Sequence, residues 1–333
     1  MMSRRRIETD PRRPSVSALP VALQPGPSAG DREAMTSTVI ILDGGMGREL
    51  KRMGAPFRQP EWSALPLIEA PDFVRRAHLG FVEAGADVVT TNSYAIVPFH
   101  IGEERFAADG EALAASAGAL ARAAAEQRPG VRVAGSLPPL FGSYRPDLFD
   151  EARAPALLVP LIAGLSPHVD LWLAETMSST AEARAVRQAL ATDPRPLWIS
   201  FTLEDEADDA AAQPRLRSGE PVGDAARVAS ELGAAALLFN CSQPEVMGPA
   251  LRSAAEALRA KGSSAQLGVY ANAFPPQRKD AAANSELLGL RADLDPPAYL
   301  HWTRQWITDG ASIVGGCCGI GPEHIAEMSR SLR

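Results

Sequence analysis

Ser312-Ile313-Val314-Gly315-Gly316-Cys317-Cys318-Gly319 reads as a short buried strand, a tight glycine turn and two adjacent cysteines. The chain has three cysteines, and the third, Cys241, also follows directly on an apolar run, Ala235-Ala236-Leu237-Leu238-Phe239-Asn240. Thiols found only at strand ends point to one shared site. Whether they meet depends on how the strands are ordered.

Short apolar runs alternate with longer, Ala-rich amphipathic stretches along most of the chain. Strands are predicted at 38–42, 87–91, 131–137, 169–174, 197–203, 235–240, 266–271 and 312–315. Helices are predicted at 72–84, 103–126, 154–165, 179–190, 223–232, 245–260, 299–309 and 322–332. Asp72 is placed as the N-cap of the first helix, and Pro322 in the first turn of the last, where its missing N–H costs nothing. Eight strictly alternating pairs demand a parallel sheet, and eight is the number that closes a (β/α)8 TIM barrel, an α/β fold. The competing fold is an open doubly wound sheet. It would carry a GxGxxG turn after its first strand, and Gly44-Gly45-Met46-Gly47 lacks that spacing.

Loop lengths argue independently for the barrel. Helix-to-strand connections are short: Gly85-Ala86, Gly233-Ala234 and Gly310-Ala311. Several strand-to-helix connections are long: 44–71, 138–150, 204–222 and 272–297. Barrels elaborate the loops at the C-terminal ends of their strands and build active sites there. Both cysteine segments lie at that end.

Three thiols converging over the barrel mouth suit zinc, which favours soft sulfur ligands in tetrahedral geometry. Cys241, Cys317 and Cys318 are the expected ligands, with Gly315, Gly316 and Gly319 letting the backbone bend between adjacent cysteines. Three protein ligands leave a fourth position for substrate, which marks a catalytic rather than a structural centre. A thiol of pKa ~8.5 is only a few per cent ionised at neutral pH, and metal binding deprotonates it outright. Taken singly, each cysteine also reads as a small buried hydrophobe. A vicinal Cys317–Cys318 disulfide is the strained alternative.

Residues 1–35 stand apart, with Arg4, Arg5, Arg6, Arg12 and Arg13 set among prolines and no helical or strand period. They are expected to be a disordered tail ahead of a barrel spanning 36–333, with Met35 as an alternative start. A net charge of −7 offers no basic face to nucleic acid, and no apolar run reaches the ~20 residues of a membrane helix. An odd number of cysteines without a signal-peptide pattern argues for a reducing, cytoplasmic setting. The partner expected for such a centre is a small-molecule thiol; a homo-oligomer is compatible with the sequence.

Several motifs resemble the zinc-dependent homocysteine S-methyltransferase family over about residues 40–324. They include Leu42-Asp43-Gly44-Gly45-Met46-Gly47-Arg48-Glu49-Leu50, Thr90-Thr91-Asn92-Ser93-Tyr94, Ala134-Gly135-Ser136 and Glu175-Thr176. The most specific pair is Asn240-Cys241 followed by Gly315-Gly316-Cys317-Cys318. The resemblance implies a (β/α)8 barrel that moves a methyl group onto the zinc-bound sulfur of homocysteine, giving methionine. It implies that Asp43 and Glu175 hold the amino group, and charge-assisted hydrogen bonds make that reasonable. Amides around Gly44 and Gly45 are expected to hold the carboxylate, and Asn92, Ser93 and Asn272 to line the mouth. For Asp43 a turn cap, and for Glu175 a carboxylate satisfied by loop amides, remain open.

The donor implied is a sulfonium, S-methylmethionine or S-adenosylmethionine, with betaine as an alternative. Aromatic faces attract such cations, and Trp62, Tyr94, Phe99, Phe141 and Tyr144 are the loop aromatics available. The same chemistry on another thiol or a selenol, and a non-catalytic zinc- or homocysteine-binding barrel, are the alternative functions. The chain departs from the family pattern at 136–144, at Leu238-Phe239 and at Ala271, departures expected to reshape the pocket and spare the ligands.

Overall fold

The computed structural model describes residues 39–205, 213–276 and 289–333. The tail expected at 1–35, with Met35, lies outside the described residues. Within them, eight parallel strands run in the order β1-β8-β7-β6-β5-β4-β3-β2. They are β1 (Ile40–Ile41), β2 (Val88–Thr90), β3 (Arg132–Leu137), β4 (Leu171–Met177), β5 (Leu197–Phe201), β6 (Ala236–Asn240), β7 (Gln266–Tyr270) and β8 (Ile313–Val314). A parallel bridge between Leu42 and Val88, with Asp43 N–H donating to the Val88 carbonyl at 3.0 Å, joins β1 to β2 and closes the barrel.

Side chains alternate across the strand walls, as a pleated strand requires. Ala236 and Leu238 of β6, Leu171 and Leu173 of β4 and Tyr270 of β7 pack inside the barrel with Trp198 and Ile313. Leu237, Phe239, Trp172 and Val269 face the helices in the outer core. Two separate apolar layers follow, which is why the strands read as near-continuous hydrophobic runs rather than alternating ones.

The helices are α1 (Met46–Arg52), α2 (Ala64–Glu69), α3 (Pro71–Ala84), α4 (Pro98–Ile101), α5 (Glu103–Ala125), α6 (Ala154–Leu165), α7 (Thr180–Leu190), α8 (Val222–Glu231), α9 (Pro244–Ala260), α10 (Pro296–Thr308) and α11 (Pro322–Leu332). Eight of them are the predicted ones. α1, α2 and α4 are additions, each of seven residues or fewer, too short to show a helical period in sequence. All three sit in the loops after β1 and β2, at the elaborated end.

Asp72 is not the N-cap of α3. The helix begins one residue earlier, at Pro71, and the Asp72 carboxylate instead pairs along the helix with Arg75 at 2.7 Å and Arg76 at 3.0 Å. Proline at the first position pre-sets the helical φ without removing a used donor, so it displaces aspartate from the cap. α10 also starts earlier than predicted, at Pro296, with Asp295 accepting from Ala298 N–H at 2.9 Å. Pro322 does open α11.

β4 runs three residues beyond its predicted end, so Glu175 and Thr176 belong to the strand. The register against β5 shifts between Ala174 and Met177, and Thr176 has a φ of 59°. Such a bulge re-aims side chains at a barrel rim.

Candidate metal and substrate site

Cys241 follows β6 directly. Strict alternation from Asn240 aims it away from the barrel axis, but a left-handed φ of 52° breaks the alternation and Cys241 lines the cavity at the mouth. That conformation is held from several sides. Asn240 Oδ1 accepts from Thr176 N–H at 3.0 Å and Ser200 Oγ at 2.7 Å, and its Nδ2 donates to Thr176 Oγ1 at 2.8 Å. Tyr144 Oη donates to the Cys241 carbonyl at 2.8 Å.

The second thiol segment leaves β8 through Gly315 and Gly316. A Cβ on Gly315 would lie 2.5 Å from Leu42 Cβ, and one on Gly316 only 2.2 Å from Ile320 Cγ2. Close approach demands these two glycines, whereas Gly319, with a φ of 86°, supplies the left-handed turn. Cys317 N–H donates to the Ala271 carbonyl at 2.9 Å and Ala273 N–H to the Cys318 carbonyl at 2.8 Å, tying the segment to the end of β7.

The structure thereby brings the three cysteines together. Their sulfurs lie within 4.8 Å of one another, Cys241 and Cys317 at 2.7 Å, and all three are free thiols. Tetrahedral zinc with Zn–S near 2.3 Å spaces its sulfurs by about 3.8 Å, so the three soft donors suit that ion once Cys241 and Cys317 part by about 1 Å. The electrostatics agree. Cys318 is held well below the usual thiol range by hydrogen bonds from Cys241 and Cys317, and then by Arg48. Cys317 is pushed well up, first by its bonds to Cys241 and Cys318 and then by burial. Cys241 also rises: a bond from Cys317 lowers it, but its bond to Cys318 and burial outweigh that. Packing the three thiols together thus pushes their ionisation apart, and a divalent cation among them would favour the thiolate form of each.

Asp43 and Glu175 line the same cavity, which opens to solvent at the mouth. Asp43 accepts from Thr90 N–H at 2.7 Å and Thr90 Oγ1 at 3.0 Å. Burial nevertheless raises its pKa to about 8, with the Glu175 charge adding to the rise. Glu175 accepts from Ser136 Oγ, and burial lifts it to about 7. Two carboxyls held near neutrality by burial are poised for a cation that restores their charge.

The other expected residues divide. Gly44, Gly45 and Asn92 line the cavity. The Gly45 N–H is already donated to the Ile320 carbonyl at 2.9 Å, and a Cβ there would strike the Cys317 carbonyl at 2.4 Å, so Gly45 packs against the thiol segment. Asn92 Nδ2 donates to the Ser63 carbonyl at 2.9 Å. Ser93 and Asn272 stand outside the lining: Ser93 Oγ donates to the Ser136 carbonyl at 2.7 Å, and Asn272 Oδ1 accepts from Phe274 N–H at 3.2 Å. Both shape the loops behind the cavity.

Among the aromatics, Trp62, Tyr94 and Tyr144 line the cavity, joined by Tyr270 and Phe274. Phe99 is 43% exposed and Phe141 packs edge-on against Phe149 at 6.0 Å, so neither reaches it. Of the three departures from the family pattern, only the 136–144 segment reaches the lining, through Tyr144; Leu238, Phe239 and Ala271 are buried behind it. Tyr144 is clamped. The Arg217 guanidinium lies 4.5 Å from its ring centroid and pairs at 2.9 Å with Asp205, both side chains being buried. Asp205 in turn accepts from Gln243 N–H at 2.9 Å. Sequence reasoning missed this clamp, because nothing local ties residue 144 to residue 217. It also missed Ser136 and Tyr270 as site residues, although inward alternation on β3 and β7 marks both positions.

Backbone strain marks the same place. Among the described residues, non-glycine φ values are positive at Trp62, Tyr144, Thr176, Ala191 and Cys241, and all but Ala191 line this cavity. Such conformations persist where the surroundings over-determine them, commonly at functional sites.

The family model "Homocysteine S-methyltransferase" matches residues 40–332. The Bacillus subtilis homocysteine S-methyltransferase YbgG is 30% identical, covering 90% of this chain and 96% of its own length. The Escherichia coli homocysteine S-methyltransferase is 29% identical, over 87% of this chain and 94% of its own. A selenocysteine methyltransferase of Astragalus bisulcatus is 26% identical over 88% and 90%. The solved metallated form of the E. coli homocysteine methyltransferase MmuM superposes with a TM-score of 0.69 at 28% identity, covering 90% of this chain and 98% of that one. With barrel, thiol cluster and carboxyl pair in place, this chain is an S-methyltransferase and belongs to the homocysteine S-methyltransferase family.

Proposed function

We propose that the protein transfers a methyl group from a sulfonium donor, S-methylmethionine or S-adenosylmethionine, to homocysteine in a zinc-dependent reaction that yields methionine. The observation that carries this reading is the placement of three thiols and two buried carboxyls around one cavity at the working end of the barrel. Cys241, Cys317 and Cys318 would hold the zinc, which when bound supplies the positive charge that ionises the acceptor thiol.

The protein's own groups do the rest. Asp43 and Glu175 take the acceptor's ammonium, and in doing so fix where its sulfur lies relative to the thiol cluster. Trp62, Tyr94, Tyr144 and Phe274 present aromatic faces to the donor's sulfonium. Arg48 lies 6.0 Å from the Trp62 centroid and 5.1 Å from that of Phe274. The acceptor sulfur forms a bond to the methyl carbon as the donor's S–CH₃ bond breaks. The bonding pair stays on the donor sulfur, which leaves as a neutral thioether. Alignment of the three atoms is what the clamped loops contribute.

A methylation assay tests this: homocysteine is offered with S-methylmethionine, S-adenosylmethionine and betaine in turn, and zinc is measured on the same sample. Methionine formed from a sulfonium donor by protein carrying about one zinc per chain is the expected result. Full turnover by metal-free protein, or none from any donor by zinc-loaded protein, overturns the reading. A cysteine- or selenocysteine-type acceptor preferred over homocysteine would keep the chemistry and change the substrate.

A further inference from the structure

An ammonium group offers three N–H donors, and two carboxyls that take one each leave the third without an acceptor. Tyr270 lines the same cavity from the end of β7, between the β6 and β8 ends that carry the thiols. Its side chain is 5% exposed, yet its hydroxyl has no hydrogen-bond partner among the described residues. A buried phenol O–H ordinarily finds one, and an orphan inside a cavity is a place where a ligand belongs.

The neighbours explain why it is left over. Ser136 Oγ donates to Glu175, and Ser200 Oγ donates to Asn240 Oδ1 at 2.7 Å. Tyr270 pairs in register with Asn240, which faces Thr176 instead. Burial, and after it the charge of Glu175, raises the Tyr270 phenol well above its ordinary range, with Cys317 and Cys241 adding to the rise. Tyr270, Asp43, Glu175 and the three cysteines all line this one cavity.

We propose that the Tyr270 hydroxyl is the third acceptor for the substrate ammonium, making the cavity selective for thiols that carry an unmodified amino group. The assignment rests on the reading of this cavity as an amino-acid thiol pocket. Tyr270 accepts one ammonium N–H while its own O–H turns to the Glu175 carboxylate, which already accepts from Ser136 Oγ, so the phenol oxygen gains its missing partner when the ligand is bound.

Calorimetric titration of zinc-loaded protein with two thiols tests it: homocysteine, and 4-mercaptobutyrate, which has the same carbon chain and carboxylate without the amine. Tyr270→Phe is expected to weaken homocysteine binding by about tenfold or more, the loss of one hydrogen bond to a charged group. The same variant is expected to bind 4-mercaptobutyrate as the parent does, with unchanged zinc content and melting temperature. Equal weakening of both thiols, or of neither, overturns the assignment. Should Tyr270→Phe not fold, N-methylhomocysteine on the unmodified protein decides instead: binding as tight as homocysteine sinks the proposal, and a loss of tenfold or more supports it. An unmodified protein that binds neither homocysteine nor 4-mercaptobutyrate refutes the amino-acid thiol reading itself, whereas the outcomes above bear on Tyr270 alone.

Discussion

Asp43 and Glu175 show how burial can prepare a charged site without a permanent charge. Raised to about 8 and about 7, both hold protons in the free protein at mildly acidic pH. If the proposed ammonium site is right, the ligand binds their ionised forms, so affinity rises with pH as the two protons leave and falls as pH drops through 7. The product methionine carries the ammonium without a thiol and isolates this effect. Its affinity is expected to fall by about tenfold for each proton that must be displaced per pH unit below 7, as read by calorimetry between pH 6 and 8. Glu175→Gln should flatten that profile, raise KM for homocysteine by about tenfold or more, and leave bound zinc unchanged. A Glu175→Gln protein with the original pH profile would remove Glu175 from the ammonium site. Both carboxyls were legible in the sequence as strand-end acids. Their Thr90 and Ser136 partners were not, because those bonds cross from one strand to another.

The turn after β8 and the bulge in β4 are the elements that convert a generic barrel into this site. Gly315 and Gly316 were legible as glycines a bend requires, but the structure assigns them a different necessity. Leu42 and Ile320 leave no room for a Cβ at either position. Gly316→Ala is accordingly expected to destabilise the fold by about 1–3 kcal/mol through overpacking, and to lower zinc affinity because the Cys317–Cys318 backbone must shift. Thermal melts of the zinc-loaded and zinc-free variant check both effects; an unchanged melt in both would mean that the turn relaxes freely. The eight strands and eight principal helices were legible from apolar runs and helical spacing. α1, α2 and α4 were not, since one or two turns of helix leave too few residues to show a period. The β4 bulge was also hidden, because register is set by a neighbour rather than by local sequence.

At the scale of the molecule, the two apolar layers hold the barrel rigid, and one buried group makes that rigidity depend on acid. His78 of α3 is fully buried with neither ring nitrogen partnered among the described residues, and burial lowers its pKa from 6.5 to about 4. The unfolded chain takes up this proton below pH 6.5 and the folded chain only near 4. Its contribution to stability is therefore intact above pH 6.5, is lost as pH falls toward 4, and changes no further below that. The loss amounts to about 3 kcal/mol. Comparing urea midpoints of the parent and His78→Leu at pH 7 and pH 5 isolates it: the gap between the two proteins should shift in favour of the variant at pH 5, and a constant gap would show that His78 does not titrate in this range.

The barrel order is also what brings β6 and β8 close enough for Cys241 to meet Cys317 and Cys318. It was the alternation of elements, not any local motif, that made this meeting legible. The most direct measurement of the central claim is X-ray absorption at the zinc edge of the zinc-loaded protein, before and after adding homocysteine. The account predicts three sulfur neighbours without homocysteine and four with it, and no bound zinc to measure in Cys317→Ser protein. A sulfur count that stays the same on adding homocysteine would contradict it.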